Sequence, residues 1–184
     1  MSDRGSVELT ETPSARFDLL FDSSYNAIFR YCARRLGPTD AEDAAADVFA
    51  VAWRRIEDMP EGDARKAWLF GVAHRVVGRQ YRSRQRRNRL SARLEQTTPQ
   101  GPGTSSGGEF DDLLAALDHL SRPDQEVLRL SAWDGLNRTE IATVLGIKEN
   151  AVDQRLHRAR ARLRSRLDRL GPGSSQVSPK EAST

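Results

Sequence analysis

Cysteine is nearly missing from this 184-residue chain: Cys32 stands alone, and a single thiol excludes an intramolecular disulfide. His74, His119 and His157 are scattered and form no ligand spacing with Cys32, so no metal site and no cofactor is expected. No apolar run approaches the roughly 20 residues that span a bilayer. Met1 to Thr12 also lacks the apolar core of a secretion signal. These absences point to a cytoplasmic protein without membrane insertion. Lysine is scarce too: only Lys66, Lys148 and Lys180 among 29 basic residues. Either GC-rich coding or the bidentate binding of a polyanion by arginine produces that bias. The hydrophobic share of 38% is low and the charged share of 30% is high, so much of the surface is solvated or bound to something charged.

What is present is helical periodicity in two blocks. Between Thr97 and Gly108 every residue except Gln100 is Gly, Pro, Ser or Thr, the composition of a flexible linker. A coil of that length spans roughly 20 Å, so the two blocks can engage separated parts of one target. The fold predicted is all-α: two small helical domains at 14–93 and 109–170 joined by a flexible linker at 94–108. The ends, 1–13 and 171–184, are polar and aperiodic, and disorder is expected there. No segment needs to be read as a strand.

In the first block Phe17, Phe21, Tyr25, Ile28, Cys32 and Leu36 recur at helical steps until Gly37-Pro38 stops them. Cys32 lies inside that stripe and is read as a small core residue. A second helix is predicted to open on a capping box of Thr39 and Glu42 and to bury Ala41, Ala45, Val48, Ala52 and Ile56, with Phe49 and Trp53 widening its apolar face. The third starts near Asp63 and turns Trp68, Leu69, Val72 and Val76 inward. Gly71 and Gly78 within it suggest close helix packing or a local bend. In the second block Phe110, Leu113, Leu117 and Leu120 form one stripe, and Pro123 suits the first turn of the next helix. Asn137 and Glu140 form a capping box before Ile141, Val144 and Leu145, and Gly146 breaks that helix. A long last helix follows, burying Val152, Leu156, Ala159, Leu163, Leu167 and Leu170.

Charge is segregated along the chain, and this is more telling than the net charge of +3. Arg75, Arg79, Arg82, Arg86, Arg89 and Arg93 follow steps of four and three, which puts them on one helix face, and no acid occurs from Arg75 to Leu94. A solvated helix face usually interleaves acids with bases, so a phosphate backbone is the natural partner of such a stripe. The last helix carries Arg155, Arg158, Arg162, Arg166 and Arg169 along one edge. It follows a short helix and a Gly turn, the parts of a helix-turn-helix. In that geometry Asn150, Asp153 and Gln154 sit where base edges are read. The second helix has the opposite sign, with Asp40, Asp43 and Asp47 on one face and Glu42 nearby. Acids near a helix N-terminus favour the dipole whatever the function. Asp47 lies two turns in and calls for an electropositive partner.

Several of these segments resemble the extracytoplasmic-function (ECF) sigma factors. The run from Asp40 through Asp43, Asp47, Phe49 and Trp53 is similar to region 2.2, with Ala46 where a glutamine is usual. The run Ala67-Trp-Leu-Phe-Gly-Val-Ala-His-Arg75 and the arginines after it are similar to regions 2.3 and 2.4, with Arg75 in place of a frequent asparagine. The segment from Glu140 to Arg160 is similar to region 4.2. There Lys148 stands in place of a common capping serine, and Asp153 in place of a common cation.

The resemblance implies a non-enzymatic specificity subunit without catalytic residues. It would dock on the β′ clamp of core RNA polymerase through Asp40, Asp43, Asp47, Phe49 and Trp53. It would contact minus-ten promoter DNA through Arg75, Arg79, Arg82 and Arg86. Minus-thirty-five DNA would be met by Lys148, Asn150, Asp153, Gln154, Arg155 and Arg158, with the second domain also touching the β flap. An anti-sigma factor is a usual further partner in the family. The alternative is a helix-turn-helix transcriptional regulator that does not bind core polymerase, which leaves the acidic helix and the arginine stripe of the first block without a role. An enzyme is disfavoured because His74, Cys32 and the acids show no nucleophile–base spacing.

Overall fold

The computed structural model describes residues 12–94 and 109–170, the side chains of 88–94, 109–111 and 170 excepted. Among the described residues the chain forms seven α-helices, one 3-10 turn and no strand. It divides into two compact units, one built on the first three helices and the other on most of the last four. Most of the expected tails (1–13, 171–184) and of the expected linker (94–108) lies outside the described residues. Three residues correct their edges. Thr12 and Pro13 belong to the cap and first turn of a helix, and Leu94 is still helical.

In the first unit α1, Pro13–Leu36, starts because the Thr12 hydroxyl accepts the Ala15 N–H at 3.2 Å while Pro13, having no N–H of its own to satisfy, fills the first position. It ends where Gly37 adopts φ +89°, a backbone that L side chains rarely adopt, and donates its N–H to Ala33 O at 2.9 Å. The next helix, α2, is Pro38–Arg54. Its start corrects the expected Thr39 capping box. Gly37 is the N-cap and has no side-chain acceptor, Pro38 is pre-organised for the first helical position, and Thr39 therefore lies inside the first turn. Ile56 is also corrected: α2 stops at Arg54, and Ile56 enters the core from the 3-10 turn Ile56–Asp58. Arg55 N–H is shared between Val51 O and Ala52 O, both at 3.2 Å, which tightens the chain there without turning Ile56 away from the core.

Ala41, Ala44, Ala45 and Ala52 of α2 are fully buried. Such small side chains let a helix approach its neighbours closely, here α1 and α3 (Ala64–Leu94). The core between them is filled by Leu20, Ile28, Tyr31, Cys32, Val48, Leu69 and Val72, all at most 1% exposed. Cys32 is thus a core residue, as its place in the α1 stripe predicts.

The close helix approach expected at Gly71 and Gly78 is not found. A Cβ on Gly71 would meet only the guanidinium of Arg75 at 3.7 Å, and one on Gly78 only that of Arg82 at 3.4 Å. Nor does α3 break at either residue. These glycines make room for arginines of their own helix one turn on. Gly71→Ala is therefore expected to stabilise the first unit by about 0.5 to 1 kcal/mol through reduced unfolded-state entropy. Thermal unfolding of the full chain checks this, and a lowered midpoint would show that the site tolerates no side chain.

In the second unit α4 (Glu109–Asp118), α5 (Arg122–Ala132), α6 (Arg138–Leu145) and α7 (Glu149–Leu170) surround Leu117, Val127, Leu130, Ile141, Val152, Leu156 and Ala159. Ser121 caps α5 by accepting the Asp124 N–H at 3.4 Å, and Pro123 sits in its first turn as expected. The Asn137–Glu140 capping box forms in both directions: Glu140 N–H donates to Asn137 Oδ1 at 2.9 Å, and Asn137 N–H to Glu140 Oε2 at 2.7 Å. Gly146, at φ +64°, then turns the chain from α6 into α7, and Ile147 N–H closes the turn on Ala142 O at 3.1 Å.

Candidate functional site

The acids and aromatics of α2 do not share one patch, because the three-helix packing sends them to two flanks. Asp40 pairs with Arg84 of α3 at 2.9 Å, and Arg84 also donates to Leu36 O at 3.0 Å, tying α3 to the corner between α1 and α2. Asp47 accepts from Gln80 Nε2, again on α3, at 3.0 Å. Asp43 is exposed and has no partner among the described residues. On the other flank Phe49 is only 3% exposed, with the rings of Phe21 and Tyr25 at 4.8 and 6.0 Å. Trp53 sits edge-on to Phe17 at 5.1 Å and keeps 46% of its surface exposed.

Leu19, Phe21 and Trp53 are the large hydrophobic residues left exposed among the described residues, and all three belong to α1 and α2. Sequence reasoning took Phe17, Phe21 and Tyr25 for core alone. Their four-residue spacing was the available signal, since a strict step of four drifts around a helix of 3.6 residues per turn and does not keep every member on the buried face.

On α3 the basic stripe is open. Arg75, Arg79, Arg82 and Arg86 are all exposed and have no hydrogen-bonding or ionic partner among the described residues. Arg89 and Arg93, expected on the same stripe, have side chains outside the described residues. The opposite side of α3 carries Gln80 and Arg84, which serve α2. The cations of this stretch therefore divide into those that hold the fold and those that face outward.

In the second unit α6, the Gly146 turn and α7 form the helix-turn-helix. Lys148 precedes α7 and caps it by backbone alone: its carbonyl accepts from Ala151 N–H at 2.9 Å and Val152 N–H at 3.2 Å. Asn150, Gln154 and Arg158 are exposed on the first turns of α7, and Arg155 is half-buried. Arg158 Nε donates back to Gln154 O at 3.3 Å.

Asp153, expected among the base readers, is engaged by Arg138 of α6 at 3.0 Å, and Arg138 also pairs with Glu149 at 3.0 Å. The hydrogen bond and charge of Asp153, then the charge of Glu149, hold the Arg138 guanidinium above its ordinary pKa. Arg162, expected along the basic edge of α7, instead pairs with Asp124 of α5, which is only 6% exposed. Arg138 and Asp124 were both missed from sequence. Neither belongs to a periodic stripe, and only the packing of α5 and α6 on α7 gives them partners.

Residues 20–87 match the family model of Sigma-70 region 2, and residues 110–163 match that of Sigma-70, region 4. The ECF RNA polymerase sigma factor SigL of Mycobacterium tuberculosis is 34% identical over 159 residues, covering 83% of this chain and 89% of its own. The RNA polymerase sigma factor CnrH of Cupriavidus metallidurans is 30% identical over 143 residues, covering 71% of this chain and 74% of its own. A solved structure of CnrH in complex with the cytosolic domain of CnrY superposes with a TM-score of 0.60 at 30% identity, covering 83% of this chain and 88% of that one. The chain belongs to the ECF family of RNA polymerase sigma factors. Among the described residues no helix is long and apolar enough to cross a membrane.

Proposed function

We propose that this chain is a non-enzymatic initiation subunit acting in the cytoplasm, with its tasks divided among three faces. The open side of α2, with Asp43 exposed next to the α3-tied Asp40 and Asp47 on one flank and Trp53 exposed next to buried Phe49 on the other, docks on the β′ clamp of core polymerase. The stripe Arg75, Arg79, Arg82 and Arg86 holds minus-ten DNA. The start of α7, with Lys148, Asn150, Gln154, Arg155 and Arg158, meets minus-thirty-five DNA, Asp153 being held beside them by Arg138, while the second unit also contacts the β flap. In this reading the first domain runs over 14–93 and the second over 109–170. The observation that carries it is the separation, within one three-helix unit, of an exposed acid and an exposed tryptophan on α2 from four arginines on α3 that have no partner among the described residues. A helix-turn-helix regulator that does not bind polymerase has no use for either face and does not account for the match over residues 20–87. CnrH, the relative solved with CnrY, supports control by an anti-sigma factor as part of the same reading.

Asp43 and Trp53 are the clean probes of the docking face, since Asp40 and Asp47 also hold α3. Asp43→Ala combined with Trp53→Ala is expected to weaken binding of the full chain to core polymerase on the order of tenfold to a hundredfold. Fluorescence anisotropy of labelled chain titrated with core enzyme measures it. Affinity equal to wild type would remove this face from the interface.

A further inference from the structure

Arg138 opens α6 and reaches across the turn to α7. Its Nε lies 3.0 Å from Glu149 Oε2 and its Nη1 3.0 Å from Asp153 Oδ2. The second oxygen of Glu149 accepts from Thr139 Oγ1 at 2.8 Å. Glu149 and Asp153 stand four residues apart, on one face of the first turns of α7. A planar guanidinium with donors on several nitrogens can bridge two carboxylates, which a lysine ammonium does less well.

These carboxylates occupy the part of α7 proposed to approach DNA, where phosphates repel negative charge. Left uncompensated, they would oppose the arginines that follow them. A carboxylate already held by a guanidinium is also poorly placed to accept from a cytosine amine.

Building on the promoter-binding reading above, we propose that Arg138 is a positioning residue for the recognition helix. It clasps Glu149 and Asp153, sets α7 against α6, and offsets their charge toward DNA. Asp153 is thereby part of the clasp and does not read a base.

The test uses full-length chain assembled with core polymerase, a randomised duplex DNA library to select the preferred motif, and titrations of the selected duplex over a range of salt. Arg138→Ala is expected to lower affinity about tenfold for selected and altered duplexes alike, with the salt slope kept, because no phosphate contact is lost. Adding Glu149→Gln and Asp153→Asn to that variant restores binding to within about threefold of wild type, since the repelling charges are gone. Asp153→Asn alone leaves the selected motif unchanged.

A motif altered at one position by Asp153→Asn makes Asp153 a base reader and overturns the proposal. A slope reduced by about one unit in Arg138→Ala makes Arg138 a direct phosphate contact and overturns it as well. If Arg138→Ala melts below the assay temperature by circular dichroism, Arg138→Lys and the motif of Asp153→Asn decide between the same outcomes. A wild-type chain that selects no motif removes the promoter-binding reading itself. A motif selected equally well by every variant removes only the clasp.

Discussion

Conversion of Arg75, Arg79, Arg82 and Arg86 to Ala is expected to reduce promoter-dependent transcription in vitro on the order of a hundredfold or more, with core polymerase still bound. Each guanidinium that neutralises one phosphate contributes about 0.9 to the slope of log affinity against log salt on duplex DNA and about 0.7 on a single strand. Removing four should flatten that slope by about 3 units. Loss of folding does not account for such a result. The four residues are exposed and without described partners, and Ala is the strongest helix former. Co-migration with core enzyme separates the two tasks, since the α2 flank is untouched. Transcription and a salt slope equal to wild type would show that the stripe faces solvent in the initiating complex.

The second large effect concerns stability. Ile141→Ala is expected to destabilise the second unit by about 3 kcal/mol, because Ile141 is fully buried in a short helix and its loss leaves a cavity. For a unit of this size that lowers its melting midpoint by about 15 °C, a large part of the stability of a small domain. A calorimetric scan of the full chain should show one transition shifted and the transition of the first unit unchanged. A common shift of both would show that the two units unfold as one. A loss near zero would mean that neighbouring side chains refill the site.

Much of the fold was legible because its signals are local. The Asn137–Glu140 box, Pro123 in the first turn of α5 and the Gly37 stop each act within four residues, and each appears as the chain implies. Thr39 misled because two adequate start signals lie side by side, and proline's missing N–H and fixed φ favour Pro38 at the first helical position. Gly71 and Gly78 misled for another reason. A glycine within a helix shows that space is used there, yet not by what, and here it is used by Arg75 and Arg82.

The candidate surfaces were legible as charge patterns and not as available charges. Periodicity assigns a residue to a face of its own helix, and on that basis the α3 stripe and the basic edge of α7 were both predicted. Which charges remain open depends on the helix packed beside them. Gln80 reaches Asp47 across 33 residues of sequence, and Arg162 reaches Asp124 across 38. Arg138 reaches Asp153 across 15.

The sequence by itself determined the helices, most of their caps, the two blocks and the sign of charge on each face, because those follow from interactions a few residues apart along one chain segment. Only the tertiary structure decided that Phe49 is inside while Trp53 is out, that Asp43 is open while Asp40 and Asp47 are held, and that Asp153 answers to Arg138. Those outcomes depend on which side chains meet when separate helices pack, and helical periodicity carries no information about the neighbour.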